Sequence, residues 1–170
     1  MGSKSRTVGW TSRAFVVAAV VALTGVSIPA WAGPGGTDRP YGGRCDTTIT
    51  QVSPVDLEIA GACHLLHLGL TTASTAQQVI PTGPPVGSLL DVAIFNTTTY
   101  VAANGDTLES AFSGSGVVNL ATGEATFHGT EVFLGGSGRF ATATGSAFTE
   151  GAASLVTSTG SFTVQGTISY

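Results

Sequence analysis

Few residues of this chain could do acid–base chemistry, and they lie far apart in the sequence. His67 follows the segment Cys63-His64-Leu65, and strand alternation places it on the same side as Leu65. An imidazole that faces the interior could act as a general acid or base. The alternative is a core histidine whose ring is bonded to a backbone carbonyl. His67 is therefore a candidate catalytic residue with a structural alternative.

Glu131 is the one carboxylate that the sequence pattern directs inward. It shares a strand face with Phe127 and Phe133. A carboxyl group among apolar side chains has a raised pKa and could serve as an acid. The alternative is a bulge that shifts the register and exposes the side chain. Glu131 is the second candidate catalytic residue.

The glycine-rich motif Gly135-Gly136-Ser137-Gly138-Arg139-Phe140 is the most distinctive segment of the chain. A phosphate loop would end in Gly-Lys-Ser/Thr and lead into a helix, whereas a strand is expected here. The motif therefore predicts a tight corner in which Phe140 closes one end of a barrel. Arg139 is a candidate for binding a carboxylate or another anion. Asn104 and Asp106, which flank the turn residue Gly105, are further ligand-binding candidates.

Neither a metal nor a cofactor is expected from the motifs present. The chain has no Gly-x-Ser-x-Gly, His-Glu-x-x-His or dinucleotide-binding motif. Cys45 and Cys63 lie on either side of a turn at Pro54, which would place them opposite each other on paired strands. They are predicted to form a disulfide, because an even cysteine pair in an exported protein is usually bridged. Two buried thiols are the alternative, and a metal site with His64 or His67 fits no zinc spacing.

The N-terminus predicts export to a secreted, periplasmic or extracellular location. A basic start, an apolar run over 14–26 and the tripeptide Ala30-Trp31-Ala32 are typical of a cleaved signal peptide, residues 1–32. The run is shorter than the roughly 20 residues that span a bilayer, so no stable membrane span is expected after processing. The alternative is an uncleaved anchor or a buried core helix. Residues 33–43 are predicted to be a flexible leader and 44–170 the folded domain.

The processed chain is too acidic to bind polyanions. Three arginines remain against all ten acidic residues, which gives a net charge of −7. So few scattered cations cannot neutralise a row of phosphates, and nucleic acid and anionic membrane surfaces are excluded as partners.

The hydrophobic pattern has a period of two, which predicts β-strands and no helices in the domain. Turn signals include Asn104-Gly105, Gly114-Ser115-Gly116 and Thr122-Gly123, and a longer loop is expected over 72–88. The predicted strands are 44–52, 55–68, 91–101, 106–113, 116–121, 124–133, 143–151 and 160–169. Eight short strands predict an all-β, eight-stranded antiparallel closed (calycin-like) barrel, with an open two-sheet sandwich as the alternative.

Three segments in order resemble exported bacterial proteins related to the allene oxide cyclase and dirigent barrel superfamily. They are His67-Leu68-Gly69, Ala103-Asn104-Gly105-Asp106 and the glycine corner leading to Ala143-Thr144-Gly145, where Ser137 replaces a threonine of the dirigent motif. The resemblance implies an eight-stranded barrel, often a homo-trimer, with a lumen for an apolar ligand. The catalytic residues of the plant relatives do not map onto a local motif here.

The function expected from the sequence is that of an exported barrel without catalysis, which binds a small apolar ligand or a partner. One alternative is a cyclase or isomerase that acts on a lipid- or polyketide-like substrate, with His67 and Glu131 as its polar groups. A structural envelope protein is the other. The lining of the lumen separates ligand binding without catalysis from the cyclase or isomerase, since an open cavity with converging polar side chains favours catalysis.

Overall fold

The computed structural model describes residues 38–170, which form a closed antiparallel β-barrel. Each strand pairs with the next along the chain, and the last pairs back with the first. The strands are β1 Arg39–Gln51, β2 Asp56–Leu65, β3 Gly69–Pro81, β4 Leu89–Ala102, β5 Thr107–Asn119, β6 Glu124–Gly136, β7 Thr144–Ser154 and β8 Thr159–Ser169. The predicted eight-stranded closed barrel is confirmed. The expected signal peptide and residues 33–37 of the expected leader lie outside the described residues.

The predicted disulfide is present between Cys45 and Cys63. The hairpin turns around Pro54, as expected, and the two cysteines are direct partners across β1 and β2. Both are buried in the lumen. A bridge that closes a loop of this length stabilises by about 3 kcal/mol in the chain-entropy model. Because the thiols are joined, a metal site built from them is ruled out.

The flexible-leader prediction was wrong for residues 39–43, which belong to β1. Tyr41 points into the lumen and is 1% exposed, and Arg39 pairs with Ile168 of β8. The glycine and proline content of this segment indicated a loop. Instead, glycine lets the backbone pack closely here, since a Cβ atom on Gly43 would collide with the His64 carbonyl oxygen of β2.

The strand boundaries contain two errors that cancel in the count of eight. The region 72–88 was expected to be a loop, but most of it is β3. Gly114-Ser115-Gly116 was expected to be a turn, but it lies within β5. Gly114 is needed there for close packing, since a Cβ atom would lie 2.5 Å from the Phe112 ring.

The lumen divides into two halves that differ in packing. The closed half holds the main hydrophobic core, and a short 3₁₀ helix at Gly138–Phe140 caps it with Phe140, which is fully buried. The open half holds a smaller cluster built on Val92, Ile94 and Phe112. In an up-and-down barrel the β1–β2, β3–β4, β5–β6 and β7–β8 turns all lie at one end, here the end of the open half. Within residues 38–170, no helix is long and apolar enough to cross a bilayer.

Candidate functional site

The open half of the barrel contains a cavity of about 340 Å³. Much of its apolar wall is formed by side chains that alternate inward from β3, β4, β5 and β6. These include Val79, Leu90, Val92, Ile94, Phe112, Val118 and Phe127. A small cavity with mostly apolar walls and a few polar groups is the usual form of a small-molecule site.

A strip of uncharged polar side chains crosses the cavity wall on β3 and β4. The hydroxyl oxygens of Thr75 and Thr98 lie 2.8 Å apart, and the Asn96 amide lies 3.4 Å from the Gln77 side-chain oxygen to which it donates. These groups satisfy one another while facing the cavity. They can therefore exchange hydrogen bonds with a ligand without leaving a buried charge.

Glu131 lies at the inner end of the cavity and is 3% exposed. Its Oε1 accepts hydrogen bonds from the Tyr100 hydroxyl at 2.8 Å and from the Ser110 hydroxyl at 2.5 Å. A register shift occurs in the β5–β6 ladder between Glu109 and Ser110, but it leaves Glu131 on the inner face. The inward orientation is confirmed, and the alternative of an exposed side chain is wrong.

Burial raises the pKa of the Glu131 carboxyl, although the hydrogen bonds from Ser110 and Tyr100 oppose the shift. Thr149 lies close to the same carboxyl, but its hydroxyl is outside hydrogen-bond geometry. Oε2 of Glu131 therefore has no partner among residues 38–170. Buried polar atoms are usually paired, so a free carboxyl oxygen beside a cavity is a position for a ligand group.

Two buried tyrosines stand close enough to influence this carboxyl. Burial raises the pKa of both Tyr41 and Tyr100 well above the usual value, and the nearby Glu131 raises it further. Both phenols therefore stay neutral and can donate a hydrogen bond. Tyr41 packs edge-on against Phe133 at a centroid distance of 4.7 Å, and its hydroxyl has no partner within the described barrel.

His67 does not line the cavity, so its predicted lumenal position was wrong. It lies in the β2–β3 turn with a φ of 69°, and its Nε2 is 2.9 Å from the Pro40 carbonyl oxygen. The chain leaves the strand at Leu65, so the alternation ends before residue 67. The contact with a backbone carbonyl agrees with the alternative, but the ring is half-buried in a turn and does not belong to the core.

The predicted ligand-binding residues lie at the closed end, where they contact one another. Arg139 Nε is 3.7 Å from Asp106 Oδ2, and the Asn104 amide donates to the same oxygen at 2.9 Å. The Arg139 guanidinium also donates to the His67 carbonyl oxygen. We call His67, Asn104, Asp106 and Arg139 the closed-end cluster. None of them faces the cavity.

Glycine is required at position 138 because of this cluster. Gly138 has a φ of 58°, and a Cβ atom there would collide with the Asp106 carboxylate. The glycine corner therefore allows one acidic side chain to pack against the turn. The contacts of the motif are structural, and its sequence likewise favoured a tight corner over a phosphate loop.

The partners of Glu131 were not identified from the sequence. Tyr100 and Ser110, which donate to Glu131, come from β4 and β5, and each occupies an inward position of its strand. Alternation along β4 could have indicated Tyr100. The contact itself depends on the register between strands, which the sequence pattern does not give.

No three His, Cys, Asp or Glu side chains within residues 38–170 converge as metal ligands would. The family models, the curated proteins and the solved structures give no match for this chain. The chain is a small eight-stranded barrel protein, and its candidate site is the cavity of the open half.

Proposed function

We propose that the barrel binds a small, mostly apolar molecule in the cavity of its open half. The observation that carries this proposal is the cavity of about 340 Å³, which has apolar walls and a carboxyl group with one unpaired oxygen at its inner end. Apolar surface favours the body of such a ligand, and the unpaired oxygen favours one polar group on it.

The direction in which the ligand binds follows from the placement of the polar groups. Glu131 and Tyr100 lie deep in the lumen, while Leu90 and Val118 lie nearer the open end. A hydroxyl or carbonyl group of the ligand would therefore point inward, with its hydrocarbon part toward the mouth. A charged carboxylate is disfavoured, because it would meet an acidic group in a buried site.

Occluding the cavity tests this proposal. Ile94 points into the cavity, whereas its neighbour Phe95 points outward and is 48% exposed. Ile94→Trp should reduce the binding of the neutral apolar dye N-phenyl-1-naphthylamine at least about tenfold, since burying the dye contributes several kcal/mol. Phe95→Trp is the matched control and should bind the dye as the wild type does.

Dye fluorescence titrations should be accompanied by denaturant unfolding of each variant, to show that both are folded. Equal dye binding by Ile94→Trp and the wild type would contradict the proposal. If Ile94→Trp loses dye binding as expected, native mass spectrometry of protein purified without added ligand can identify a molecule that the wild type carries and Ile94→Trp lacks.

The second candidate function is that of an isomerase or cyclase, and the Glu131 network favours it. A protonated carboxyl beside a cavity can donate a proton to a ligand oxygen, and Tyr100 can hold the resulting charge through its hydroxyl. The resemblance to allene oxide cyclase and dirigent proteins supports a lipid- or polyketide-like substrate of this kind. This candidate requires that Glu131 is protonated near neutral pH, which the titration described in the Discussion measures.

Export to an oxidising compartment is also part of the proposal. The disulfide between Cys45 and Cys63 supports it, because such bonds persist outside the reducing cytosol. The resemblance to allene oxide cyclase and dirigent proteins also suggests a homo-trimer. The outer face that carries Phe95, Val132 and Phe148 is the surface available for it.

A further inference from the structure

Exposed aliphatic side chains surround the mouth of the cavity. They come from all four turns of the open end and from the first residue of β4. Val86 and Val156 are 79% and 76% exposed, which is more than any other large apolar side chain described. We define the apolar rim as Val52, Val86, Leu89, Leu120, Leu155 and Val156. Clustered exposed apolar side chains of this kind mark a surface that contacts another apolar phase.

Backbone hydrogen bonds hold the rim in place. The β5–β6 turn donates to the β3–β4 loop from Leu120 N to Ser88 O at 2.7 Å, and the β7–β8 turn donates from Leu155 N to Gly123 O at 2.8 Å. Ile49 of β1 donates to Ser158 O at 2.9 Å. Because the turns are tied to their neighbours, little conformational entropy is lost when the rim meets a surface.

The distribution of charge restricts what that surface is. The four open-end turns, residues 52–55, 82–88, 120–123 and 155–158, contain no charged residue. The nearest charges are acidic: Asp56, Asp91 and Glu124 lie within the first three residues of their strands. Arg39 and Arg139 belong to the closed end, and Arg44 lies on the outer wall. An anionic surface would be repelled, whereas a neutral one would not.

We propose that the apolar rim docks the open end of the barrel on the surface of a neutral, zwitterionic lipid layer. The mouth then faces the lipid, so an apolar molecule passes between the layer and the cavity without crossing water. The passage of a ligand rests on the proposed ligand-binding function, whereas docking of the rim on lipid does not. The contact is peripheral, of the kind made by apolar side chains that insert at the headgroup boundary.

A second copy of the chain is the other occupant that the rim could accept. Joining two mouths would bring Asp91 and Glu124 of one copy toward the same acidic residues of the other. Both are exposed, and no arginine lies on the rim to compensate them. Like charges across an interface disfavour association, so the lipid surface is the better fit.

Vesicle flotation tests the proposal with a matched pair of variants. The protein is the disulfide-bonded chain from residue 33, because the barrel closes within residues 39–169. Val86→Asp/Val156→Asp places charge on the rim. Leu66→Asp/Leu70→Asp places the same charge at the closed end, on side chains that are 55% and 71% exposed. All proteins are mixed with phosphatidylcholine vesicles and with vesicles that also contain phosphatidylglycerol.

We expect the wild type to float with phosphatidylcholine vesicles and to float no better when phosphatidylglycerol is added. The rim variant should lose at least about tenfold in bound-to-free ratio, because each buried valine contributes about that factor. The closed-end variant should change by less than about twofold. Binding of N-phenyl-1-naphthylamine without vesicles reads the cavity separately, and the rim variant should retain it.

Three results would overturn the proposal. The first is a wild type that stays unbound in phosphatidylcholine flotation, and the second is equal loss of binding in both variants. The third is a dimer, detected by analytical ultracentrifugation, that the rim variant alone abolishes, since this would assign the rim to a second copy. Loss of dye binding by Ile94→Trp with docking intact supports both proposals. Docking without any dye binding supports the rim and overturns the cavity.

Discussion

The closed and open halves of the lumen are built by the same eight strands, yet one is a core and the other a cavity. In the closed half, the rings of Tyr41, Phe133 and Phe140 fill the space, and the last two are 3% and 0% exposed. In the open half, the inward positions of β3 hold Thr75 and Gln77, which leave a cavity of about 340 Å³. The difference therefore comes from which side chains point inward in each half, since the same strands build both.

The two ends differ in charge as well as in packing. The closed end carries the cluster of Asp106 and Arg139, whose side chains contact each other. The open-end turns are uncharged and apolar. A barrel that is filled and polar-capped at one end can stay rigid while the other end is free to bind. We expect stability and binding to be separable by mutation.

The largest expected effect compares the same truncation in the two halves. Phe133→Ala should lower the free energy of unfolding by about 3–5 kcal/mol, because it opens a void in a packed core. Phe112→Ala should cost clearly less, because its ring already borders a cavity and loses fewer contacts. Denaturant unfolding monitored by circular dichroism gives both values.

These two variants also serve as controls for each other. Both residues are inward phenylalanines on strands, and they are 3% and 6% exposed. Equal losses would mean that the open half is packed as tightly as the closed half in solution, which would contradict the division described above.

The pH dependence of stability tests the carboxyl at the boundary between the halves. The pKa of Glu131 is raised from its usual value of 4.5 by burial, so the folded state binds the proton more tightly than the unfolded state. The stability that this provides is fully present below pH 4.5 and is lost as the pH rises through the folded pKa. Glu131→Gln stays neutral and keeps both accepted hydrogen bonds. We therefore expect its stability relative to the wild type to increase with pH.

Unfolding midpoints measured between pH 4 and pH 8 check this sign. The exposed Glu150→Gln on the outer wall is the matched control and should follow the wild-type profile. A constant difference between wild type and Glu131→Gln across this range would show that folding does not raise the pKa of the carboxyl. That result would also remove the acid that the isomerase candidate needs.

Much of the fold was predictable from the sequence, because inward apolar residues alternate along most strands. The strand that was missed is β3, and the reason is physical. Its first four inward positions, Thr71, Ala73, Thr75 and Gln77, are small or polar, so they give no alternating apolar signal. Thr75 and Gln77 line the cavity. The binding region thus departs from the pattern by which a strand is recognised, as functional sites often do.

The site was predictable only in part. Glu131 followed from its parity with two phenylalanines, but Tyr100 and Ser110 reach it from neighbouring strands whose register the sequence does not encode locally. His67 shows the opposite failure. Alternation was extended past Leu65 into a turn, where a positive φ ends the strand pattern.

The smallest expected effect concerns Arg139, the residue of the glycine corner proposed as an anion-binding group. Arg139→Ala removes a partly exposed ion pair with Asp106 and the hydrogen bond to the His67 carbonyl. Pairs of this kind contribute about 0–1 kcal/mol, so unfolding should shift by no more than that. Dye binding in the cavity should not change, because Arg139 lies at the other end of the barrel. Arg44→Ala, which breaks the more exposed pair with Asp46, is the control and should have no measurable effect on either quantity. A loss of dye binding in Arg139→Ala alone would show that the two ends are coupled, and the separation of stability from binding would then fail.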